Sequence, residues 1–566
     1  MSVAVIAIFV LLAMSSAFIA LFGKQLGDKS SRIGTCSAAV SFVISLWIFI
    51  QLSVGQQQAL DFTIAADYFP DWFRLSAYVD RLSACMMVLV TCVSTVIHAY
   101  SIKYLFGDRG YSRFFALLGA LTLAVLAMVT SGNLFLLMVW WQLVSWLLYL
   151  LLSYNYTSLS AIRNAFASLF TLRIGDICFL IAVFLVYKIF GTVQFPELFA
   201  RVSSSTISAI QLWSGGPAVD PLTIITLLIF VAAMTKSAQY PFHGWLPNTM
   251  DAPTPVSAFM HAGIVNAGGF LINRLAPLYG QSPTTLHFAF LIGLLTTILG
   301  TAMMLTRTDV KTKLGFSTVG QMGFMIMECG LGAFALAIFH LIAHGVFKAT
   351  LFLHAGNVVH DVRKEPNLPE QHVEHAEKSL PLPWTTGVLI TLVVPLLILF
   401  AAHAFLGSKM HQGTIIFLFF AWVTSSQAIM SLYSLRIYGS WKAVVSMLFA
   451  VGLVIVTYLW AAESFTDFLY PAPGEAARYF HAASFPLWIF DLFVVLIVAL
   501  FLSAWAALRP GAKIAKPLQK QSKGTLIFLY LFLWNGLGIG QALSKLSHHW
   551  SVLARRCDAV LPEWLP

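Results

Sequence analysis

The chain has 566 residues, 59% of them hydrophobic and only 10% charged, with a mean hydropathy of +0.83. A soluble protein of this size carries about 25% charged residues, so a water-soluble enzyme or binding protein is excluded. The net charge of +10 does not point to nucleic acid, because the basic residues sit mostly in alternate short loops, the positive-inside pattern of a membrane protein.

Apolar runs of roughly 20 residues, each long enough to cross a bilayer, recur from end to end, about 14 to 16 in all. The predicted fold class is an all-α polytopic membrane protein, with bilayer lipid as its first partner. The first run, residues 1–22, has no positive region ahead of it and no small-residue cleavage site, and so predicts a first membrane helix rather than a signal peptide. Lys24, Lys29 and Arg32 fill the first loop, and Lys103, Arg109 and Arg113 the third. Further basic loops carry Arg307, Lys311 and Lys313, then Arg363, Lys364 and Lys378, then Arg436 and Lys442, then Arg509, Lys513, Lys516, Lys520 and Lys523. Placing these in the cytoplasm puts the N-terminus outside, together with the acidic segments holding Asp61, Asp67, Asp71 and Asp80 and, later, Glu463, Asp467 and Glu475. The last run, 525–543, fits less well, since spanning would leave Lys545, Arg555 and Arg556 outside; an interfacial or re-entrant helix is preferred.

The six cysteines (Cys36, Cys85, Cys92, Cys178, Cys329 and Cys557) show neither metal nor disulfide spacing and read as small apolar residues. The longest polar loop, 357–383, holds His360, His372 and His375 among Asp361, Glu374 and Glu377. It reads as a solvated loop, with a docking surface for a partner ranked ahead of a metal site.

Two stretches place charge where hydrocarbon should be. AAMTKSAQYPFHGWLP, 232–247, puts Lys236 sixteen residues into its run and follows it with Pro241. A lysine at the bilayer centre costs about 2.5–3.5 kcal/mol and so faces a cavity or a partner. Proline interrupts the backbone ladder, and discontinuous helices mark ion sites in transporters. His243, beside the break, either extends a path or caps exposed carbonyls. Downstream, ALAIFHLIAHGVFKATLFLHAGNVVH, 335–360, sets His340, His344 and Lys348 at successive i,i+4 positions on one helix face, with His354 beyond. Histidine titrates near neutral pH and desolvation brings lysine toward the same range, so the row suits a proton or water path. A static hydrogen-bond network is the alternative, and spacing alone does not separate proton transfer from electrostatic steering of another cation.

The block MTKSAQYPFHGWLPNTMDAPTPVSAFMHAG resembles the signature of antiporter-like subunits of respiratory complex I and of Mrp-type sodium/proton antiporters. TDVKTKLGFSTVGQMGFM, IFHLIAHGVFKATLFLHAG, YSIKYLFGDRGYSRFFALL and LRIGD match further blocks, in order, over roughly residues 80–356. The resemblance implies two inverted five-helix repeats, each with a broken helix. N-terminal helices would occupy 1–112, the repeats 113–279 and 280–440, and further helices with a basic tail 441–566. It also implies that Lys236 is the central lysine of the first repeat, Asp176 its paired carboxylate and His261 its neighbour. His340, His344 and Lys348 would connect the two half-channels, and Lys311 falls on a matching basic position.

Three departures qualify that pattern. Family members carry a glutamate in the fifth helix, where NLFLLMVWWQLVSWLLYL has Gln142, which cannot ionise. The second repeat offers His403, eight residues after Pro395, in place of a lysine. His403 reads either as the outer proton group or as an ordinary histidine near a helix end. Finally, only about 17 residues separate the last two apolar runs, and a helix that short reaches only about 25 Å, so the lateral helix of the distal complex I subunit has no counterpart.

Within the superfamily the pattern looks most like the membrane-subunit branch of the DAB inorganic-carbon accumulation systems. That branch implies a multi-pass protein of the bacterial inner membrane without catalytic residues or a cofactor of its own. It works with a large cytoplasmic partner of the DabA kind, which resembles a zinc-dependent β-carbonic anhydrase and would hold the zinc. Cations, protons by preference, would pass the ionisable row and drive hydration of CO₂ to bicarbonate on the partner. An Mrp-type antiporter subunit, a quinone oxidoreductase subunit and a non-conducting scaffold are the competing expectations.

Overall fold

The computed structural model describes residues 1–55, 59–65, 71–204, 210–211, 218–362, 460–484 and 523–538, with Phe449 and Leu453 singly. His403, Pro395, His372, His375 and Cys557 lie outside these residues.

The first two helices, α1 (Ser2–Leu26) and α2 (Lys29–Val54), turn back on each other at Gly27. Val5, Ile8, Leu12, Ser15, Ile19 and Gly23 of α1 face inward at helical spacing. The opposite face is just as apolar, with Val3, Val10, Met14 and Leu21 exposed. A helix apolar on every side is at home in lipid, because its backbone groups are satisfied within the helix. Nine helices among the described residues are long and apolar enough to cross a bilayer.

A short antiparallel pair, β1 (Ala59–Ala65) and β2 (Leu75–Asp80), follows α2, an addition to the expected all-helical chain. Asp80 caps α3 (Arg81–Tyr104) by accepting the Ser83 N–H at 2.8 Å. Then come α4 (Tyr111–Val129), α5 (Leu134–Leu152) and α6 (Leu159–Phe190). At about 1.5 Å per residue α6 is roughly 48 Å long, more than a bilayer core needs if upright, so it either tilts or projects. After the surface helix α7 (Phe195–Ser204) and a two-residue pairing of β3 (Ile210–Gln211) with β4 (Ala218–Val219) comes α8 (Pro221–Lys236). The chain then runs through 3₁₀ turns to α9 (Thr254–Ala262), α10 (Ala267–Arg274), α11 (Ala276–Tyr279), α12 (Pro283–Leu305), α13 (Val310–Gly330) and α14 (Phe334–Val362). Later described residues include a helical stretch at 460–469, α15 (Glu475–Ala482) and α16 (Lys523–Trp534). The described part of α16 has 12 residues, about 18 Å, and a 3₁₀ turn at Gly536–Gly538 follows it.

Contacts between loops establish that the chain threads back and forth. At the end carrying the β1–β2 hairpin, Ala77 pairs with Ser131, Asn133 pairs with Gln194, and Arg274 grips Asp80 in a two-pronged ion pair at 2.8 and 3.1 Å. At the other end, the one rich in basic loops, Tyr154 donates to Asp108 at 2.9 Å, and Ser160 and Asn164 both donate to Asp251. Alternate loops meet at alternate ends.

The chain forms two compact units. The first comprises Met1–Gly330, Ala337–Lys364 and Tyr530–Pro566, and the second Leu331–Leu336 and Glu365–Leu529. In the first, α12 and α13 make a close seam: a Cβ on Gly300 would lie 2.6 Å from the Gly320 backbone nitrogen, so no larger residue fits there. In the second, Tyr479 packs edge-on against Phe334 and Tyr470 at ring separations of 5.2 and 5.4 Å.

Candidate ion-conduction site

The site lies in the first unit and begins where α8 stops. Lys236 is the last residue of α8, Ser237 closes the helix, and Ala238 takes a left-handed φ of 48°, which ends the ladder. The freed groups are satisfied one by one. The Trp245 indole donates to the Thr235 carbonyl at 2.8 Å, Ser237 Oγ to the Val265 carbonyl at 2.6 Å, and the Tyr240 N–H to Thr296 Oγ1 at 3.0 Å. An interrupted backbone survives at membrane depth because protein groups pair with it. Trp245 caps the Thr235 carbonyl; His243 is buried, with its ring stacked 6.0 Å from Tyr240 and the Gly536 backbone beside it.

Lys236 is completely buried. Its ammonium donates to the Trp141 carbonyl at 3.1 Å and to Ser145 Oγ at 2.6 Å, and it lies 4.6 Å from the centre of the Trp141 ring. Trp141 and Ser145 are one turn apart on α5, so a single helix face supplies all three contacts. Asp176 on α6 is also buried and accepts from the Trp141 indole at 2.9 Å. Its other oxygen forms an ion pair with Arg173, 3.1 Å away and one turn earlier on α6.

Asp176 and Lys236 thus interact as opposite charges without touching. Among the described residues no ion pair joins them, and Trp141 stands between, touching the lysine with its carbonyl and ring and the carboxylate with its N–H. Gln142 has a partner of its own, since its side-chain oxygen accepts from Arg173. Arg173 also lies 5.3 Å from the Trp146 ring centre. The cluster holds two cations and one carboxylate, and Arg173 claims the carboxylate directly. Among the described residues Lys236 touches only neutral acceptors and a ring face, with the Asp176 charge acting on it from a distance, a weaker hold than a carboxylate in direct contact gives.

The approach of α6 to α8 depends on Gly175. A Cβ there would collide with Thr235 Oγ1 and lie 2.9 Å from the Ala232 Cα. The glycine of LRIGD thus brings Asp176 to the Lys236 level.

The second group runs along α14. His340 Nδ1 meets Glu328 Oε2 at 3.0 Å, and its Nε2 meets Gln321 Oε1 at 3.0 Å. His344 is buried next to it, ring centres 6.2 Å apart, and among the described residues neither of its ring nitrogens has a hydrogen-bond partner. Lys348, also buried, donates to Ser317 Oγ at 2.8 Å. His261, at the end of α9, stacks on Phe352 of α14 with centres 4.4 Å apart, and both its nitrogens are likewise unpartnered among the described residues. Lys311 lies half-buried in the first turn of α13, at the basic-loop end. The row from His340 to Lys348 covers about 12 Å along the helix axis.

Arg173, Trp141, Ser145, Glu328, Gln321 and Ser317 were not singled out from the sequence. Arg173 and Glu328 were open to the criterion that exposed Lys236, a charge inside an apolar run. The others are ordinary residue types whose role depends on which helix lies opposite. Among the described residues no group of three or more His, Cys, Asp or Glu converges as a metal ion requires.

A helical bundle that breaks a membrane helix beside a buried lysine, and lines a neighbouring helix with histidines and a second lysine, defines a membrane subunit of the ion-translocating class. Residues 131–431 match the family model described as NADH:quinone oxidoreductase/Mrp antiporter, transmembrane, and residues 72–115 match that of the complex I chain 5 N-terminus. The "Probable inorganic carbon transporter subunit DabB1" of Halothiobacillus neapolitanus is 39% identical over 506 residues, 87% of each chain. The NADH-quinone oxidoreductase subunit L of Neisseria meningitidis serogroup B is 34% identical over 390 residues, 68% of this chain and 57% of that one. Among solved structures the Mrp complex from a Dietzia species aligns with a TM-score of 0.62 at 22% identity, over all of this chain and 60% of that chain, a likeness of fold. The chain belongs to the antiporter-like membrane subunit family of complex I and Mrp complexes, and within it is most like DabB subunits.

Proposed function

We infer that this chain is the membrane subunit of an energy-coupled inorganic-carbon pump of the bacterial inner membrane. The observation that carries the reading is the match to a DabB subunit along 87% of both chains, where the complex I relative of Neisseria is spanned over only 57% of its length. In this reading segments 113–279 and 280–440 are the two inverted repeats. Cations, protons by preference, move past Asp176, Lys236, His261, Lys311, His340, His344, Lys348 and His403.

The arrangement around Lys236 supports such a role. Among the described residues Lys236 donates only to Trp141 and Ser145 and feels the Asp176 charge at a distance, so a change in the Arg173–Asp176 pair alters how strongly its proton is held. Gln142 removes the ionisable group expected beside Arg173 and leaves Asp176 as the one carboxylate of the cluster. The hydration chemistry belongs to the cytoplasmic partner, a carbonic-anhydrase-like protein of the DabA kind with its own zinc, and not to this chain. An Mrp-type cation/proton antiporter subunit, or a subunit of a quinone oxidoreductase, is the second reading, favoured by the family model and by the fold of the Mrp complex.

Purification of the tagged full chain in mild detergent, with identification of what accompanies it and zinc analysis, separates the two. One large zinc-containing partner, and bicarbonate uptake that is lost in Lys236→Ala, are the expected results. A set of small membrane subunits, or redox subunits without zinc, would overturn the carbon-pump reading.

A further inference from the structure

Glu328 sits in MIMECGLG, two residues before the end of α13, and is buried. That end of α13 lies at the hairpin end of the bundle. Gly330 abuts Phe290 near the start of α12, the start of α12 is linked to the start of α8 through Thr285 and Thr226 at 2.8 Å, and α10 ends there in the Arg274–Asp80 pair. His340, the carboxylate's partner, is the member of the α14 row nearest that end. The row thus does not stop at a histidine. A carboxylate extends it toward the hairpin end, while Lys348 and Ser317 close it toward the basic-loop end.

Two features distinguish this carboxylate from a structural brace. The first is that only one of its oxygens is used: Oε2 meets His340, and Oε1 is buried without a hydrogen-bond partner among the described residues. A buried carboxylate oxygen left bare is costly, and the cost falls if it carries a proton or meets a water. The second is that both ring nitrogens of His340 are engaged, one by the carboxylate and one by Gln321, so the ring faces two directions at once. Beyond it, His344 offers two bare nitrogens, places for bridging water.

We propose that Glu328 is a proton-exchanging carboxyl that feeds His340 from the hairpin end of the bundle. A proton arriving at Glu328 forms an O–H bond on the carboxylate. Transfer breaks that bond and forms N–H at His340 Nδ1, leaving the carboxylate ionised and the ring doubly protonated. The ring then gives up its Nε2 proton, with the hydrogen bond to Gln321 that it made, to water bridging toward His344; one proton has passed and the ring is left with its proton on Nδ1, and exchange of that proton for one on Nε2 through water restores the starting tautomer. The transfer needs no oxidant, reductant or metal. It rests on the ion-conducting reading above, with the row used along α14 as well as across the bundle.

The test takes the purified full chain with its co-purifying subunits and the variants E328Q, E328D and K236A. Gln keeps the size of Glu and a hydrogen bond to His340, so a bracing role survives E328Q and proton exchange does not. In infrared difference spectra between two pH values, the wild type is expected to show a protonated-carboxyl band that shifts in D₂O, is missing in E328Q and returns in E328D. In proteoliposomes, E328Q is expected to lose at least about tenfold of the proton flux, each 1.4 kcal/mol of added barrier being one decade, with E328D recovering part of it. Wild-type flux in E328Q alongside no flux in K236A would overturn the role of Glu328 and leave the conduction reading standing. No flux in the wild type would overturn the conduction reading, and the carboxyl band would then decide Glu328 alone: unchanged in E328Q, it overturns the proposal.

Discussion

The Lys236 cluster and the α14 row are built from similar residue types and solved in opposite ways. Around Lys236, among the described residues, every charged side chain has a partner in a nearly closed set, with only Arg173 Nε in neither a hydrogen bond nor the ion pair: Arg173 holds Asp176 and Gln142, Trp141 holds Asp176 and Lys236, and Ser145 completes the lysine. Along α14 the ends are partnered, His340 by Glu328 and Lys348 by Ser317, while His344 between them and His261 beside them have bare nitrogens. A closed set changes state by exchanging partners, whereas an open row changes state by passing water or protons through its gaps. The first region therefore suits a switch and the second a path.

Breaking the switch should have the largest effect. Lys236→Ala removes the charge that the interrupted helix positions, and bicarbonate uptake should fall to the background of cells lacking the chain. A variant that still transports would show that the cluster is scaffolding. Next in size is Arg173→Ala, which takes the ion-pair partner from Asp176 and leaves the carboxylate with the Trp141 N–H and the more distant Lys236. Breaking a fully buried pair from one side costs about 3–5 kcal/mol, and with the guanidinium partly exposed roughly 2–3 kcal/mol is expected, read as a lower melting temperature of the purified chain. The double variant Arg173→Ala/Asp176→Ala should recover much of that loss, and no recovery would mean the pair is not coupled.

Smaller effects sharpen the comparison further. Gly175→Ala forces α6 away from α8 and should cost about 1–3 kcal/mol, as overpacking does, with transport reduced more than stability because Lys236 and Asp176 shift apart. Trp245→Phe uncaps the Thr235 carbonyl, an effect of about 1–2 kcal/mol on melting that leaves the α14 row untouched. Gln142→Glu gives Arg173 a second carboxylate in a half-exposed position, worth about 1 kcal/mol or less in stability. Its informative readout is the pH profile of transport: a shift places Gln142 within the switch, and an unchanged profile removes it.

Much of the architecture was legible in the apolar runs, since lipid demands helices and helices of bilayer length are hard to mistake. The break at Lys236 was legible too, because a lysine followed by a proline inside such a run is incompatible with an unbroken helix facing lipid. The i,i+4 spacing of His340, His344 and Lys348 fixed their common face. Partner choice was not legible. Arg173 lies in LRIGD beside the Asp176 that the family resemblance pointed to, yet its hold on Gln142 depends on the distance between α5 and α6. Trp141 read as one more membrane tryptophan, and its part as the link between Lys236 and Asp176 needs three atoms from one residue in contact with two helices. Glu328 was passed over inside an apolar run, although the cost of burying a lone carboxylate applied to it as it did to Lys236.

The central claim is that cations cross this subunit past Lys236. Its most direct test is proton flux into proteoliposomes containing the purified full chain with its co-purifying subunits, followed by an interior pH dye under an imposed gradient. The account predicts flux in the wild type and none in Lys236→Ala at equal incorporation. Equal flux in both, with both correctly assembled, would contradict it.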